Sequence, residues 1–381
     1  MDDSKIIVKE KSYINSFRGL EVLRFVLSFA VIIWHYQHFF YPFVPFSHRE
    51  LFFEKQPFFE SLELFYSQGL YAVHIFWFIS GLIFYLIYSE RICAGKIKFN
   101  TYMLNRFSRL YPLHFVMLIL VALLQHFYFA QIGNYFIYQE NTVKNFVLNI
   151  LFTQTWGLNK FSFNGPTWSV SIEILVYIIF FVLAGVGFLR KGRGVIVTFI
   201  FLAFLKRYHL LFLTDDIVTC FYFFFAGCVF VYYYNIYQQN TRIQVTALAT
   251  LIVTLIALLK ATVIFPKVTE EITAGLDIDI LLFSIIAVLS FLLLFNLKIF
   301  DRITTRSFQF IGNLTYSTYL VHFPIQLAIY IMLRPSAYSM FFSKGFFVIY
   351  MCTVFVFGKL FYEFFELPIQ KIIRNKFSKT L

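Results

Sequence analysis

Two ionisable side chains, Arg24 and His35, stand in an otherwise apolar stretch, RGLEVLRFVLSFAVIIWH, at residues 18–35. Their spacing is about three helical turns, so on a helix both point the same way, about 16 Å apart along the axis. Glu21 lies on the same face, one turn before Arg24. Charged groups inside an apolar span are costly and therefore indicate a functional site. An arginine there can bind an anion, and a histidine can move a proton.

Three further polar residues stand inside apolar runs: His74 in YAVHIFWFISG, Glu173 in PTWSVSIEILVY and His322 in STYLVHFPI. Carboxylates and imidazoles serve enzymes as acids and bases, and each such group needs a partner when it is buried. Structural interpretations stay open for three residues. Arg24, near a helix end, can extend its guanidinium to lipid headgroups, His35 can be a hydrogen-bonded core histidine, and His74 can be a packed core histidine.

The composition points to a membrane protein. With 60% hydrophobic and only 14% charged residues, the 381-residue chain has more apolar side chains than a soluble protein of this size can bury. We therefore expect an all-α, polytopic membrane protein. In a membrane protein, a net charge of +12 indicates which segments lie in the cytoplasm, because basic residues concentrate there. No nucleic acid is therefore expected as a partner. The four cysteines are scattered, so neither a metal site nor a disulfide framework is expected.

Hydropathy predicts ten membrane spans, at residues 19–41, 69–90, 110–130, 168–189, 194–213, 217–235, 244–265, 276–297, 311–333 and 345–366. The fifth is the weakest, because Lys206 and Arg207 interrupt it. If the N-terminus is cytoplasmic, the inner segments carry about twice as many Lys and Arg as the outer segments, even with Lys206 and Arg207 counted outside. This bias predicts that both termini are cytoplasmic.

One transmembrane domain, 1–381, is expected, with no appended soluble domain. The connection 131–167 is predicted to lie outside, and its apolar middle, VKNFVLNILFTQTW, is too short to span. We interpret that middle as an interfacial or re-entrant helix that caps an outward cavity. Residues 367–381 form a basic cytoplasmic tail that is expected to meet anionic membrane lipids.

The topology also predicts depths for the polar residues. His35, His74 and Glu173 fall roughly 7–9 Å below the outer boundary, and His322 falls near the middle of the ninth span. Arg24 lies near the inner boundary, on the side of Arg106 and Arg109. These two arginines have two interpretations. They belong to the usual excess of basic residues on the cytoplasmic side or, alternatively, they form a binding site for cytoplasmic phosphate groups.

Six sequence fragments stand in order along nearly the whole chain. They are the Arg24-to-His35 spacing, FWFISG at 76–81, RFSRLYP at 106–112, PTWSVSIE at 166–173, IGNLTYSTYLVH at 311–322 and FELP at 365–368. Taken together, they resemble the acyltransferase type 3 family of bacterial membrane O-acyltransferases. They include Ser80, Trp168, Ser171 and Tyr319 as further candidates for the polar core, and His74 stands where an acidic residue is common in the family.

The resemblance implies transfer of an acyl group, usually acetyl, from cytoplasmic acyl-CoA to a sugar hydroxyl of an envelope glycan. That acceptor would be lipopolysaccharide O-antigen, exopolysaccharide or a lipid-linked sugar at the bacterial inner membrane. In this scheme acetyl-CoA is a substrate, and no permanently bound cofactor is expected. The anionic donor would meet Arg24, Arg106 and Arg109.

Roles for the catalytic residues follow from the same resemblance. His35 would act as general base on the acceptor hydroxyl or carry the acyl group transiently, Glu173 would orient its imidazole, and Arg24 would complete the site. Two other classes remain: a transporter or flippase of lipid-linked sugars that uses a proton relay, and a different membrane glycan transferase. The transporter alternative predicts inverted repeats in hydropathy, which the sequence does not show.

Overall fold

The computed structural model of this chain describes residues 18–44, 46–157, 161–190, 192–208, 214–237, 277–295, 305–333 and 335–378. Throughout these ranges the regular structure is helical, and no residue in them lies in a β-strand. The expected fold class, an all-α polytopic membrane protein, is confirmed.

The α-helices of the described ranges are numbered in chain order. They are α1 Arg18–His35, α2 Phe59–Gln68, α3 Ala72–Cys93, α4 Phe99–Ile132, α5 Val143–Ile150, α6 Trp168–Gly185, α7 Gly192–Tyr208, α8 Asp215–Tyr237, α9 Ile278–Phe295, α10 Thr305–Leu333, α11 Lys344–Phe361 and α12 Leu367–Ser378. Short 3-10 turns continue α1 at Tyr36–Phe39 and precede α6 at Gly165–Thr167. A π-helical turn, Tyr362–Glu366, joins α11 to α12.

Seven stretches of the described residues are long and apolar enough to cross a membrane. They coincide with the predicted first, second, third, fourth, sixth, ninth and tenth spans. The predicted eighth span corresponds to the shorter apolar helix α9, and the predicted seventh, 244–265, lies outside the described residues. The total of ten spans and the cytoplasmic location of both termini stay predictions. The seven stretches are Gly19–Phe39, Phe59–Cys93, Phe99–Ile132, Gly165–Gly185, Asp215–Tyr234, Ser307–Leu333 and Lys344–Phe377.

The chain forms two compact units. The first contains Met1–Arg24, Val73–Ile97 and Leu175–Gln309. The second contains Phe25–Ala72, Lys98–Ile174 and Phe310–Leu381. Each unit is assembled from segments that are distant in sequence, so the residues of either unit meet only when the whole chain has folded.

In the first unit, two glycines let α3 and α8 cross in close contact. A Cβ on Gly81 would collide with the carbonyl of Phe224, and a Cβ on Gly227 would collide with the carbonyl of Phe78. The Cys228 thiol also donates to the Gly81 carbonyl at 3.3 Å. Glycines at such crossings allow helix backbones to approach in a membrane protein, where van der Waals packing holds helices together.

Helix α7 occupies the predicted fifth span, and the structure explains how a lysine is accommodated there. Lys206 is only 3% exposed. Its Nζ lies 2.9 Å from Asp277 Oδ2 and donates to Thr219 Oγ1 at 2.7 Å. The structure buries Lys206 between α8 and the residue before α9, and its predicted location among the outer charges stays a prediction. Partners on both sides make a buried ammonium tolerable.

In the second unit, α10 is the central element. Ser28 of α1 and Thr318 of α10 share a hydrogen bond of 2.9 Å. Gly358 of α11 packs against Thr318 so closely that a Cβ would collide with its side chain. Tyr36, just after α1, donates to the Phe341 carbonyl at 2.8 Å. These contacts hold the C-terminal end of α1 beside the middle of α10.

Candidate functional site

His35 is the last residue of α1, and its imidazole is 5% exposed in the second unit. Its Nδ1 donates to the carbonyl of Val31, one helical turn earlier, at 2.9 Å. A carbonyl oxygen can only accept, so Nδ1 carries the proton and Nε2 carries the lone pair. The backbone of α1 itself therefore sets His35 in the tautomer that a general base needs.

His322 of α10 lies beside His35, with 4.8 Å between the two ring centroids. It is fully buried, and its Nδ1 donates to the Tyr319 carbonyl at 2.6 Å. Its Nε2 therefore also carries a lone pair, and this atom has no hydrogen-bond partner within the described residues. Residue counts from the ends of the predicted spans place His322 near the middle of its span, deeper in the membrane than His35. The structure brings the two rings into contact.

A third imidazole, His38, was not predicted. Its ring centroid lies 4.9 Å from that of His35, and its side chain is 3% exposed. Gln326 of α10 was also missed, and its Nε2 donates to the backbone carbonyl of His35 at 2.9 Å. Helical spacing could have found both, because His38 follows His35 by three residues and Gln326 follows His322 by four.

A proline in α10 frees a carbonyl to which the chain before α6 is attached. Pro324 of α10 has no N–H, so the carbonyl of Leu320, four residues earlier, loses its helical partner. The side chain of Asn164 fills that place, with Nδ2 donating to the Leu320 carbonyl at 3.0 Å. Because Nδ2 is used there, the unpaired atom of buried Asn164 is its acceptor, Oδ1.

The predicted residues Trp168, Ser171 and Tyr319 hold the start of α6 in place. Ser169 Oγ and Tyr319 Oη share a hydrogen bond of 2.9 Å, and Tyr319 also donates to the Pro166 carbonyl. Ser171 Oγ donates to a loop carbonyl, that of Phe152, at 2.8 Å. Trp168 accepts through its carbonyl from Thr155 at 3.2 Å. Their observed contacts are thus with neighbouring backbone and side chains of the second unit.

The segment 131–167 contains helix α5 and is attached to α4 at two places. His114 Nε2 donates to the Asn149 carbonyl at 2.8 Å. The Gln125 side chain makes two hydrogen bonds of 2.9 Å with the backbone of Phe136. Tyr138 packs edge-on to His38 at 5.9 Å, and burial raises the pKa of its phenol far above the usual value, so it stays neutral. An interfacial or re-entrant placement of α5 stays a prediction.

Glu173 was predicted to orient His35. Its carboxylate interacts electrostatically with the phenols of Tyr316 and Tyr319, on the helix that carries His322. The rings that the structure shows against His35 are those of Trp34, His38 and His322. A direct pairing of Glu173 with His35 therefore stays a prediction.

The predicted Arg109 interacts electrostatically with Tyr316, as does Glu366. Glu366 ends the π-helical turn, is 3% exposed and accepts from Ser317 Oγ at 2.5 Å. A π turn inserts one extra residue per turn and often re-aims side chains at functional sites. Arg109 therefore lies in a charged environment that includes a buried carboxylate.

Arg24 of α1 is another arginine that was predicted to bind the donor, and it forms an ion pair with Glu21. Its Nη1 lies 3.1 Å from Glu21 Oε2, and the two side chains are 17% and 25% exposed. This is the same-face pairing expected from their spacing. Arg106 lies on α4 and is partly buried. The donor-binding role of these arginines stays a prediction.

His74 and Ser80 belong to α3 in the first unit. The His74 ring packs edge-on against Phe223 of α8 at 4.9 Å and against Trp77 at 5.4 Å. Ser80 precedes Gly81, where α3 crosses α8. The described residues contain no group of three or more His, Cys, Asp or Glu side chains that could hold a metal ion.

A family model described as an acyltransferase domain, type 3, matches residues 17–363. No curated protein and no solved structure matches the chain. The matched range begins next to α1 and includes every residue described in the candidate site except Glu366, which lies just beyond it.

Proposed function

Because the chain belongs to the acyltransferase type 3 family, we propose that it is a membrane O-acyltransferase acting on a cell-surface glycan. The donor is acyl-CoA, with acetyl as the transferred group, and the acceptor is a sugar hydroxyl of lipopolysaccharide O-antigen, exopolysaccharide or a lipid-linked sugar. The proposed location is the bacterial inner membrane. The observation that carries the proposal is the buried contact of His35 with His322.

In the proposed reaction, His35 Nε2 takes the proton of the acceptor hydroxyl as the hydroxyl oxygen attacks the thioester carbonyl. The C–O bond of the new ester forms and the C–S bond breaks, leaving its electron pair on sulfur. The imidazolium then gives its proton to that sulfur, which releases coenzyme A with a free thiol. The tautomer fixed by Val31 supports this role, since it leaves Nε2 able to accept.

Two unpaired acceptor atoms buried in the second unit support a hydroxyl-rich acceptor. His322 Nε2 and Asn164 Oδ1 are both buried, and both are acceptors because the other polar atom of each side chain already donates. Burying an acceptor without a donor is costly, so a bound molecule with several O–H groups satisfies them. A sugar has that chemistry.

Glu173 and the arginines complete the proposal. Tyr319 interacts electrostatically with Glu173, and its carbonyl fixes the His322 tautomer. We assign Glu173 an orienting role through this tyrosine. Arg24, Arg106 and Arg109 are assigned to the phosphate groups of the donor, because guanidinium groups bind phosphate through two parallel hydrogen bonds.

The test is transfer of labelled acetyl from acetyl-CoA to envelope glycan in membranes that contain the full chain. We expect His35→Ala to lower transfer at least about 100-fold, the usual contribution of a general base. His126→Ala is the matched control, because His126 is an exposed histidine of α4. Normal transfer by His35→Ala, at normal protein levels, contradicts the proposed role. Coenzyme A-independent movement of sugar without acylation would instead identify a transporter.

A further inference from the structure

His38 is a buried imidazole to which the proposed reaction gives no role. It lies in the 3-10 turn Tyr36–Phe39 that follows α1, and its side chain is 3% exposed. Its Nδ1 has no hydrogen-bond partner within the ranges that the structure describes. A buried polar atom without a partner is costly, so we expect a bound molecule to supply the missing hydrogen bond.

His38 lies directly against the proposed general base. The ring centroids of His38 and His35 are 4.9 Å apart, in keeping with two side chains three residues apart on one helical face. Gln326 packs at the same place, because its Nε2 donates to the His35 carbonyl at 2.9 Å and its side chain also interacts with His38. Any molecule bound at the His35 ring is therefore also close to His38.

The surroundings of His38 favour a neutral ligand group. Its ring centroid lies 5.7 Å from that of Tyr41, 5.9 Å from that of Tyr138 and 6.1 Å from that of Phe323. None of these rings carries a positive charge, whereas phosphate is bound by guanidinium or ammonium groups. An imidazole Nδ1 donates or accepts according to its tautomer, and a hydroxyl can do either in return. A sugar hydroxyl therefore fits this atom better than the phosphate groups of coenzyme A.

We propose that His38 is a specificity-determining residue of the acceptor site, and that its Nδ1 binds the hydroxyl next to the one that His35 activates. The inference rests on the proposed function and adds a substrate class to it. Because the two rings touch, a sugar that presents one hydroxyl to His35 holds the hydroxyl of the neighbouring carbon within reach of His38. The acceptor class is thus a sugar with free hydroxyls on two adjacent carbons, a vicinal diol.

The first experiment compares His38→Leu with His38→Asn in membranes that contain the full chain. Leucine and asparagine have nearly the same shape, but only asparagine places a polar atom where His38 has Nδ1. The acceptor is envelope glycan prepared from cells that lack the protein, and it is titrated at saturating acetyl-CoA. We expect His38→Leu to raise the KM for glycan about 10-fold, the contribution of one hydrogen bond, and His38→Asn to stay within about twofold of the unaltered chain.

The KM for acetyl-CoA is expected to stay unchanged in both variants. His126→Leu, at an exposed histidine of α4, is the control and is expected to change neither constant. Equal rises in the glycan KM for His38→Leu and His38→Asn would overturn the inference, because packing alone would explain them. A raised KM for acetyl-CoA would also overturn it, by assigning His38 to the donor. An unchanged glycan KM in His38→Leu would overturn this inference alone, whereas absence of transfer by the unaltered chain would overturn the proposed function as well.

Periodate oxidation gives a second measurement, and this one needs no variant to fold. Periodate cleaves the bond between two carbons that carry free hydroxyls, and an acetyl group on either hydroxyl prevents that cleavage. Periodate consumption by the glycan is measured before and after acetylation by the unaltered chain. We expect consumption to fall as acetyl groups are added. Unchanged consumption would show that the acylated hydroxyl has no free neighbour and would overturn the inference.

Discussion

His35 and His322 are held in the same way, and this similarity defines the chemistry of the pair. Each Nδ1 donates to a backbone carbonyl of its own helix, so each Nε2 is left with its lone pair. With 4.8 Å between the ring centroids, a proton on one imidazole disfavours a proton on the other. One proton at a time is what the proposed transfer requires.

His322→Gln tests whether the second imidazole takes part. Glutamine keeps a polar side chain of similar length but cannot titrate at neutral pH. We expect acetyl transfer to fall about 100-fold or more, with thermal unfolding in detergent little changed. His126→Gln is the control, as an exposed histidine. Unchanged transfer in His322→Gln would make this histidine a packing residue only.

Residue patterns predicted part of what the structure shows. The Glu21–Arg24 pairing in the first unit followed from helical spacing, and the choice of His35 as a candidate followed from its place in an apolar span. The contact of His35 with His322 could not be predicted, because it depends on how α1 packs against α10. Counting residues from the span ends predicts a depth for each residue, but it does not show which side chains touch.

At the scale of elements, a proline in α10 determines where the chain before α6 is attached. Pro324 leaves the Leu320 carbonyl without its helical partner, and Asn164 supplies the replacement. The proline itself was visible in the sequence. Its partner was not, because a freed carbonyl can bond any nearby donor.

Asn164→Ala should destabilise the protein by about 1–3 kcal/mol, since it leaves a buried carbonyl without a donor. In a Pro324→Ala background the cost should be smaller, because alanine restores the N–H that pairs with Leu320. The double-mutant cycle is measured by thermal unfolding in detergent. Strictly additive effects would show that Asn164 and Pro324 act independently.

At the scale of the whole molecule, composition was enough to predict an all-α membrane protein, and six ordered fragments were enough to indicate its family. Burial of Lys206 was not predictable, because its partner Asp277 comes from a distant segment. Amino-acid composition indicates how much apolar surface must be buried in lipid or in the protein. It does not indicate which helices pack against each other, and the catalytic proposal depends on the packing of α1 against α10.

The central claim is that this protein places acyl groups on an envelope glycan through His35. The most direct measurement is mass spectrometry of envelope glycans from cells with the unaltered protein, without it, and with His35→Ala. We predict a sugar with an added mass of one acetyl group only when the unaltered protein is present. Identical glycan masses in all three cell lines, or full acetylation with His35→Ala, would contradict the account.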